Sequence, residues 1–124
     1  MRYRLARIER MVRMSYKVIC KEDAYKYDPP GHFDVLCTRL HNPTDVNEGK
    51  MTMGLSHFQP GGGCTFGNNP FESIYYIISG QMTLKTDNEE IILQPGDTFH
   101  CGPGTNKSVI NNGTGVCQML VVLG

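Results

Sequence analysis

Apolar and polar residues alternate along this chain with a short period. Residues 51–58 show it best: Met51, Met53, Leu55 and His57 fall on one face, and Thr52, Gly54 and Ser56 on the other. A period of two is that of a strand, and the Met/Leu row is the expected inner face. Residues 73–79 are β-branched and aromatic and stop at Gly80, which predicts a second strand. Residues 81–86 and 90–94 predict a hairpin turning at Asp87-Asn88, and Thr98–Cys101 a short strand after the turn Pro95-Gly96-Asp97. Residues 107–111 and 116–123 predict a last hairpin around Asn112-Gly113-Thr114-Gly115. Upstream, residues 18–20 and 33–40 predict strands, with a turn at Asp28-Pro29-Pro30-Gly31 and a polar loop over 42–49. So many short strands separated by regular turns imply an all-β barrel or sandwich.

Composition narrows the setting. The 124 residues suit one domain, and 14 glycines with 7 prolines favour turns over long helices. No apolar run nears the ~20 residues that cross a bilayer, so no membrane partner is expected. Net charge is zero, which argues against nucleic acid bound by bulk charge. The charge is uneven, however. Five of the six arginines (Arg2, Arg4, Arg7, Arg10, Arg13) lie within residues 1–13, and the rest of the chain holds 7 basic and 11 acidic residues. Two domain segments are therefore expected: a basic leader over 1–13 and a barrel over 14–124. The leader's Leu5, Ile8 and Val12 could form a helical stripe for a surface or partner, or it could be a targeting peptide. The alternative is a start at Met14, or a terminus that is poorly tied down. No secretory apolar region follows the arginines, so a cytoplasmic location is expected.

The five cysteines (Cys20, Cys37, Cys64, Cys101, Cys117) are odd in number and form no C-x-x-C pair. That is a poor disulfide framework and fits buried free thiols in a reducing compartment. The run Pro60-Gly61-Gly62-Gly63 lacks the Lys-Ser/Thr of a phosphate loop and is expected to permit a bend at a barrel rim.

Two spaced motifs resemble the small cupins. One reads Gly61-(x)5-Gly67-x-Asn69-(x)3-Ser73-(x)6-Gly80, the other Gly96-(x)5-Gly102-x-Gly104-(x)2-Lys107-(x)3-Asn111. The resemblance implies a double-stranded β-helix, the jelly-roll barrel, with an N-terminal extension. It also implies a homodimer, to which residues 14–40 could lend a swapped strand. In the cupins, two histidines and a glutamate of the first motif and a histidine of the second bind a metal. Those positions hold Gly67, Asn69, Ser73 and Lys107. Glycine offers no ligand, Asn and Ser are weak neutral donors, and an ammonium repels a cation. No cofactor and no metal are expected at that site. Glu72, one residue from the glutamate position, would turn to the opposite face.

The same alignment suggests what stands in the metal's place. Ser73 inward carries Tyr75 and Ile77 inward, and Lys107 carries Val109. Lys107, Tyr75 and His57 are the candidate catalytic groups, with Ser73, Asn69, Gly67, Met53 and Ile77 as candidate substrate contacts. Lys107 could act as base, as Schiff-base amine or as a fixed charge for a carboxylate or enolate. The expected function is metal-independent proton transfer next to a carbonyl, of isomerase, epimerase or lyase type. The ligand would be a carbonyl, carboxylate or sugar-like small molecule. Two alternatives stand beside it: a non-catalytic small-ligand binding or sensing barrel, and a metalloenzyme whose site is rebuilt from His57, Cys64, His100 or Cys101.

Overall fold

The computed structural model describes residues 16–42 and 49–124. The basic leader and most of the 42–49 loop lie outside the described residues. After a 3₁₀ turn at Lys21–Asp23, the chain forms nine strands. They are β1 (Tyr25–Tyr27), β2 (His32–His41), β3 (Thr52–Gly67), β4 (Ser73–Ser79), β5 (Met82–Thr86), β6 (Glu90–Leu93), β7 (Thr98–Cys101), β8 (Lys107–Ile110) and β9 (Cys117–Leu123). All pairings are antiparallel, in the order β6-β5-β8-β3-β9-β4-β7, with β2 joined to β3 and β1 to β2. This is the expected all-β jelly-roll barrel, nearly closed. Among the described residues no helix is long and apolar enough to cross a membrane.

β3 organises the barrel. Its first half pairs with β9, from Thr52–Leu123 to Phe58–Cys117, while its second half pairs with β8 at Gly63–Ile110, Cys64–Val109 and Gly67–Lys107. The exchange of neighbours happens across the glycine run. That run was expected to bend at a rim; instead it lies inside one 16-residue strand. The reason is close approach. A Cβ on Gly62 would stand 2.2 Å from the Asp34 carbonyl oxygen, and one on Gly63 2.2 Å from that of Val109. Only a residue without a side chain lets three backbones meet there.

Three other expectations are corrected. Residues 18–20 form no strand, and the first strand is Tyr25–Tyr27, too short for its own period to be read and fixed by pairing with Cys37–Arg39. The last two strands form no hairpin with each other, because each is taken by a different half of β3. The inner face of β3 is reversed. Gly54, Ser56 and Phe58 are buried, while Met51 is 61% exposed and Met53, Leu55 and His57 share the outward row. The outward row misleads because it is itself apolar. Register sets Met53 beside Val122, which is beside Ile74, and Leu55 beside Leu120, which is beside Tyr76.

The core is built by the alternation that β4 and β8 were expected to show. Tyr75 and Ile77 of β4, Val109 of β8 and Cys117 and Met119 of β9 pack with Phe58, Met82, Leu84 and Leu93. The most deeply buried polar side chain among the described residues lies close by. Asn111 is 0% exposed; its Nδ2 donates to the Phe58 carbonyl (3.0 Å) and the Gly115 carbonyl (2.8 Å), and its Oδ1 accepts from Gly113 N–H (2.9 Å). It ties the β8–β9 loop to the middle of β3. Truncation would leave these buried groups without partners. Asn111→Ala is expected to destabilise the fold by about 2–4 kcal/mol, read by urea unfolding. A loss below about 0.5 kcal/mol, the range of an ordinary surface change, would show that the loop holds without it.

Candidate functional site

A cavity of about 360 Å³ opens at one end of the barrel. Phe58, Val109, Met119 and Val121 give it an apolar floor. β2 supplies Cys37 and Arg39, and β3 supplies Ser56, Cys64 and Gly67. The β1–β2 connection, Pro29 to His32, forms one wall. That wall is tied down: Thr65 N–H donates to the Gly31 carbonyl at 2.8 Å, pinning the connection to β3.

Of the four positions that the cupin resemblance assigns to a metal, Gly67, Asn69 and Lys107 line this cavity. Gly67 and Lys107 face each other across β3 and β8 and both line it. A Cβ at Gly67 would meet nothing within 4 Å, so the room for an imidazole persists without the imidazole. Asn69 also lines the cavity, but its Oδ1 is engaged locally, accepting from Phe71 N–H at 2.9 Å. Ser73 is 2% exposed and its Oγ has no hydrogen-bond partner of good geometry. It lies one layer behind, opposite Cys101 in register and outside the lining. A neutral hydroxyl, a committed amide and an ammonium do not fit a first-row cation.

Lys107 is 9% exposed. Its Nζ lies 5.0 Å from the Tyr75 ring centroid, a cation–π distance. Tyr75 is held in turn by Phe99, whose ring stacks on it at 4.2 Å and 11°. The three come from β8, β4 and β7, with Tyr75 and Phe99 paired in register. The aromatic stack thus fixes where the charge sits. No Asp or Glu lines the cavity, and no ion pair to Lys107 is made among the described residues.

Of the candidate residues, Lys107, Tyr75, Asn69 and Gly67 line the cavity. The other four do not. Ile77 is fully buried in the core, and Ser73 lies behind Lys107's neighbours. Met53 and His57 fall on the outward row of β3 for the register reason given above. His57 Nδ1 is buried there without a partner. The residues of the rebuilt metal site are not brought together either. Cys64 lines the cavity and Cys101 is buried, whereas His100 is exposed and pairs with Glu72. Among the described residues no three His, Cys, Asp or Glu side chains are grouped to hold a metal.

The sequence reading missed the opposite wall. Arg39 lines the cavity with its guanidinium 4.4 Å from the Tyr27 ring centroid. One signal was present: Arg39 is the single arginine outside the basic leader. Beside it, Cys37 Sγ and Ser56 Oγ lie 3.7 Å apart in a weak hydrogen bond. Burial pushes the Cys37 thiol up, against the lowering effect of Ser56. Burial also raises Tyr27, opposed by Arg39, and raises Cys101, opposed by Lys107. Cys37 and Cys101 therefore stay thiols near neutrality and are poor nucleophiles. His32, on the rim, donates from Nδ1 to the Pro30 carbonyl at 3.0 Å. In the neutral ring that leaves Nε2 as the acceptor.

A small β-barrel carrying this pocket defines the class. The cupin-domain family profile matches residues 54–123, and the chain belongs to that family. It is 25% identical over 107 residues to Beta-D-galactosidase Rv1717 of Mycobacterium tuberculosis, covering 86% of this chain and 92% of that protein. Among solved structures it is similar to the polyketide cyclase RemF from Streptomyces resistomycificus: TM-score 0.73, 18% identity, 87% of this chain and 78% of that one. It is also similar to KdgF from Halomonas sp.: TM-score 0.66, 16% identity, 87% and 93% covered.

The open space at Gly67 and the charge at Lys107 give a direct test of the donor set. Gly67→His/Lys107→His places two imidazoles across one strand pair. It is expected to fold and to bind Ni²⁺ in a calorimetric titration. Gly67→His alone, with the ammonium retained, is expected to bind at least about tenfold more weakly. Equal affinity in the two variants would show that Lys107 does not face this space.

Proposed function

We propose that the chain is a metal-independent enzyme of small-molecule chemistry that moves a proton next to a carbonyl, with Lys107 as its fixed positive charge. The observation that carries this reading is the Lys107 ammonium held over Tyr75 in a cavity that no Asp or Glu of the described residues lines. Such a charge is satisfied by a ligand oxygen that is, or becomes, negative. The cation–π contact suits the role of a charge stabiliser better than that of a base, because the ring face attracts the ammonium.

The step that fits these groups is enolisation. A base takes the proton from the carbon beside the carbonyl, the C–H pair forms the C=C bond, the carbonyl π pair moves to oxygen, and Lys107 holds the oxyanion. Return of the proton to another position gives isomerisation; loss of a leaving group gives elimination. His32 Nε2 is an acceptor available at the rim, for the base role that the sequence had offered to Lys107. The name of the M. tuberculosis relative would suggest glycoside hydrolysis. Its usual mechanism needs a pair of carboxylates at the bond that breaks, and the cavity lining offers no Asp or Glu.

The test is exchange of carbon-bound protons in D₂O, followed by NMR with pyruvate, 2-oxobutyrate and 2-oxoglutarate as probes. The wild-type protein is expected to speed exchange of at least one probe. Lys107→Met is expected to lower that rate about 100-fold or more. Ligand binding without exchange would turn the reading to a binding module, and exchange unaffected by Lys107→Met would overturn it.

A further inference from the structure

Arg39 and Lys107 line the same cavity from different strands, and among the described residues neither has an anionic partner. Lys107 stands on β8, beside the second half of β3. Arg39 stands on β2, paired with Gly54 in the first half. No ion pair or hydrogen bond occupies the Arg39 guanidinium among the described residues; its one contact of note is the Tyr27 ring at 4.4 Å. A ring contact of that kind orients the plane of the guanidinium. It leaves the N–H donors along the edge for a planar, two-oxygen acceptor. The floor of the cavity holds the apolar Phe58, Val109 and Met119, with Cys37 and Ser56 beside Arg39. Two cations on different strands over a largely apolar floor suit a ligand with an anionic oxygen at each end and carbon in the middle.

We infer that the pocket selects small molecules with two acidic ends, Arg39 gripping a carboxylate while Lys107 holds the second carboxylate or the enolisable carbonyl oxygen. This deepens the proposed function and rests on its reading of the cavity as the ligand site. It makes Arg39 the residue that sets specificity, whereas Lys107 serves the chemistry. It also sets the substrate class: short dicarboxylates and keto acids, rather than neutral sugars.

The consequence to measure is a length optimum. Two charges fixed in a rigid barrel demand one span, whereas a merely basic surface does not. The probes are oxalate, malonate, succinate, glutarate and adipate, titrated by calorimetry into the full chain. The mono-amide of the best diacid serves as the control. One chain length is expected to bind best, and its mono-amide about tenfold or more weaker, the usual cost of a lost charge-assisted pair. Arg39→Gln is expected to erase the difference between diacid and mono-amide, and Arg39→Lys to keep part of it. Circular dichroism checks that the variants fold; if Arg39→Gln does not, Arg39→Lys and the wild-type length series decide the matter. Equal affinity for every length, no binding at millimolar concentration, or a diacid preference that survives Arg39→Gln would overturn the inference. The two readings fail separately. A length optimum without proton exchange removes the proposed catalysis and leaves the diacid site. Lys107-dependent exchange with no role for Arg39 does the reverse.

Discussion

β3 has to pass two other backbones at its middle, and everything at the pocket follows from how it does so. Gly62 and Gly63 let the Asp34 and Val109 carbonyls come where a Cβ would otherwise stand. The strand can therefore run on from its pairing with β9 into its pairing with β8 without stopping. One continuous segment thereby sets Ser56 and Phe58 at one part of the cavity, and Cys64 and Gly67 at another. Asn111 secures the crossing from the side, spending its amide on Phe58, Gly113 and Gly115. A side chain at either glycine would force strands apart that now share one core.

Within that frame, the chemistry turns on a charge. Burying an ammonium is costly unless something compensates it. Here the compensation inside the protein is the face of Tyr75, itself braced by Phe99. That is weaker than a carboxylate, and it leaves the charge available. Where related barrels gather imidazoles and a carboxylate around a cation, this one presents a cation of its own. In the proposed function the sense of the site is inverted, and its ligand is an anion. Arg39 repeats the arrangement on β2, again against a tyrosine ring and with no ion pair among the described residues. Both cations are thus positioned by aromatic surfaces and left to find their counter-ion in a ligand.

Much of this was legible in the sequence, and the failures have physical causes. Motif spacing and period-two alternation led to the barrel, to the burial of Tyr75, Ile77 and Val109, and to Lys107 at the cavity. The alternation of residues 51–58 was read correctly as a strand and wrongly as to face. The apolar row of this strand faces outward, beside Val122 and Leu120, while its inner row of Gly54, Ser56 and Phe58 is mostly small and polar, so polarity picks the wrong face, and an error of face moves every side chain at once. This is how His57 and Met53 were placed in a pocket they do not reach. Arg39 was invisible for a different reason. It belongs to no motif, and its meaning comes from Tyr27, across a strand pair that local sequence does not reveal. The wall from Pro29 to His32 read as a turn, which it is. Its closure over the cavity depends on Gly31 meeting Thr65.

In the proposed reading Lys107 and Arg39, without an anionic partner among the described residues, receive one anionic ligand inside the barrel. Nitrogen-detected NMR of the lysine ammonium and arginine guanidinium groups, with malonate or succinate added stepwise, addresses it most directly. The Lys107 Nζ and Arg39 Nε signals are expected to shift together and saturate along one binding curve, while those of Lys17, Lys26 and Lys85 stay still. Shifts spread evenly over all the lysines, or a Lys107 signal that never moves, would contradict it.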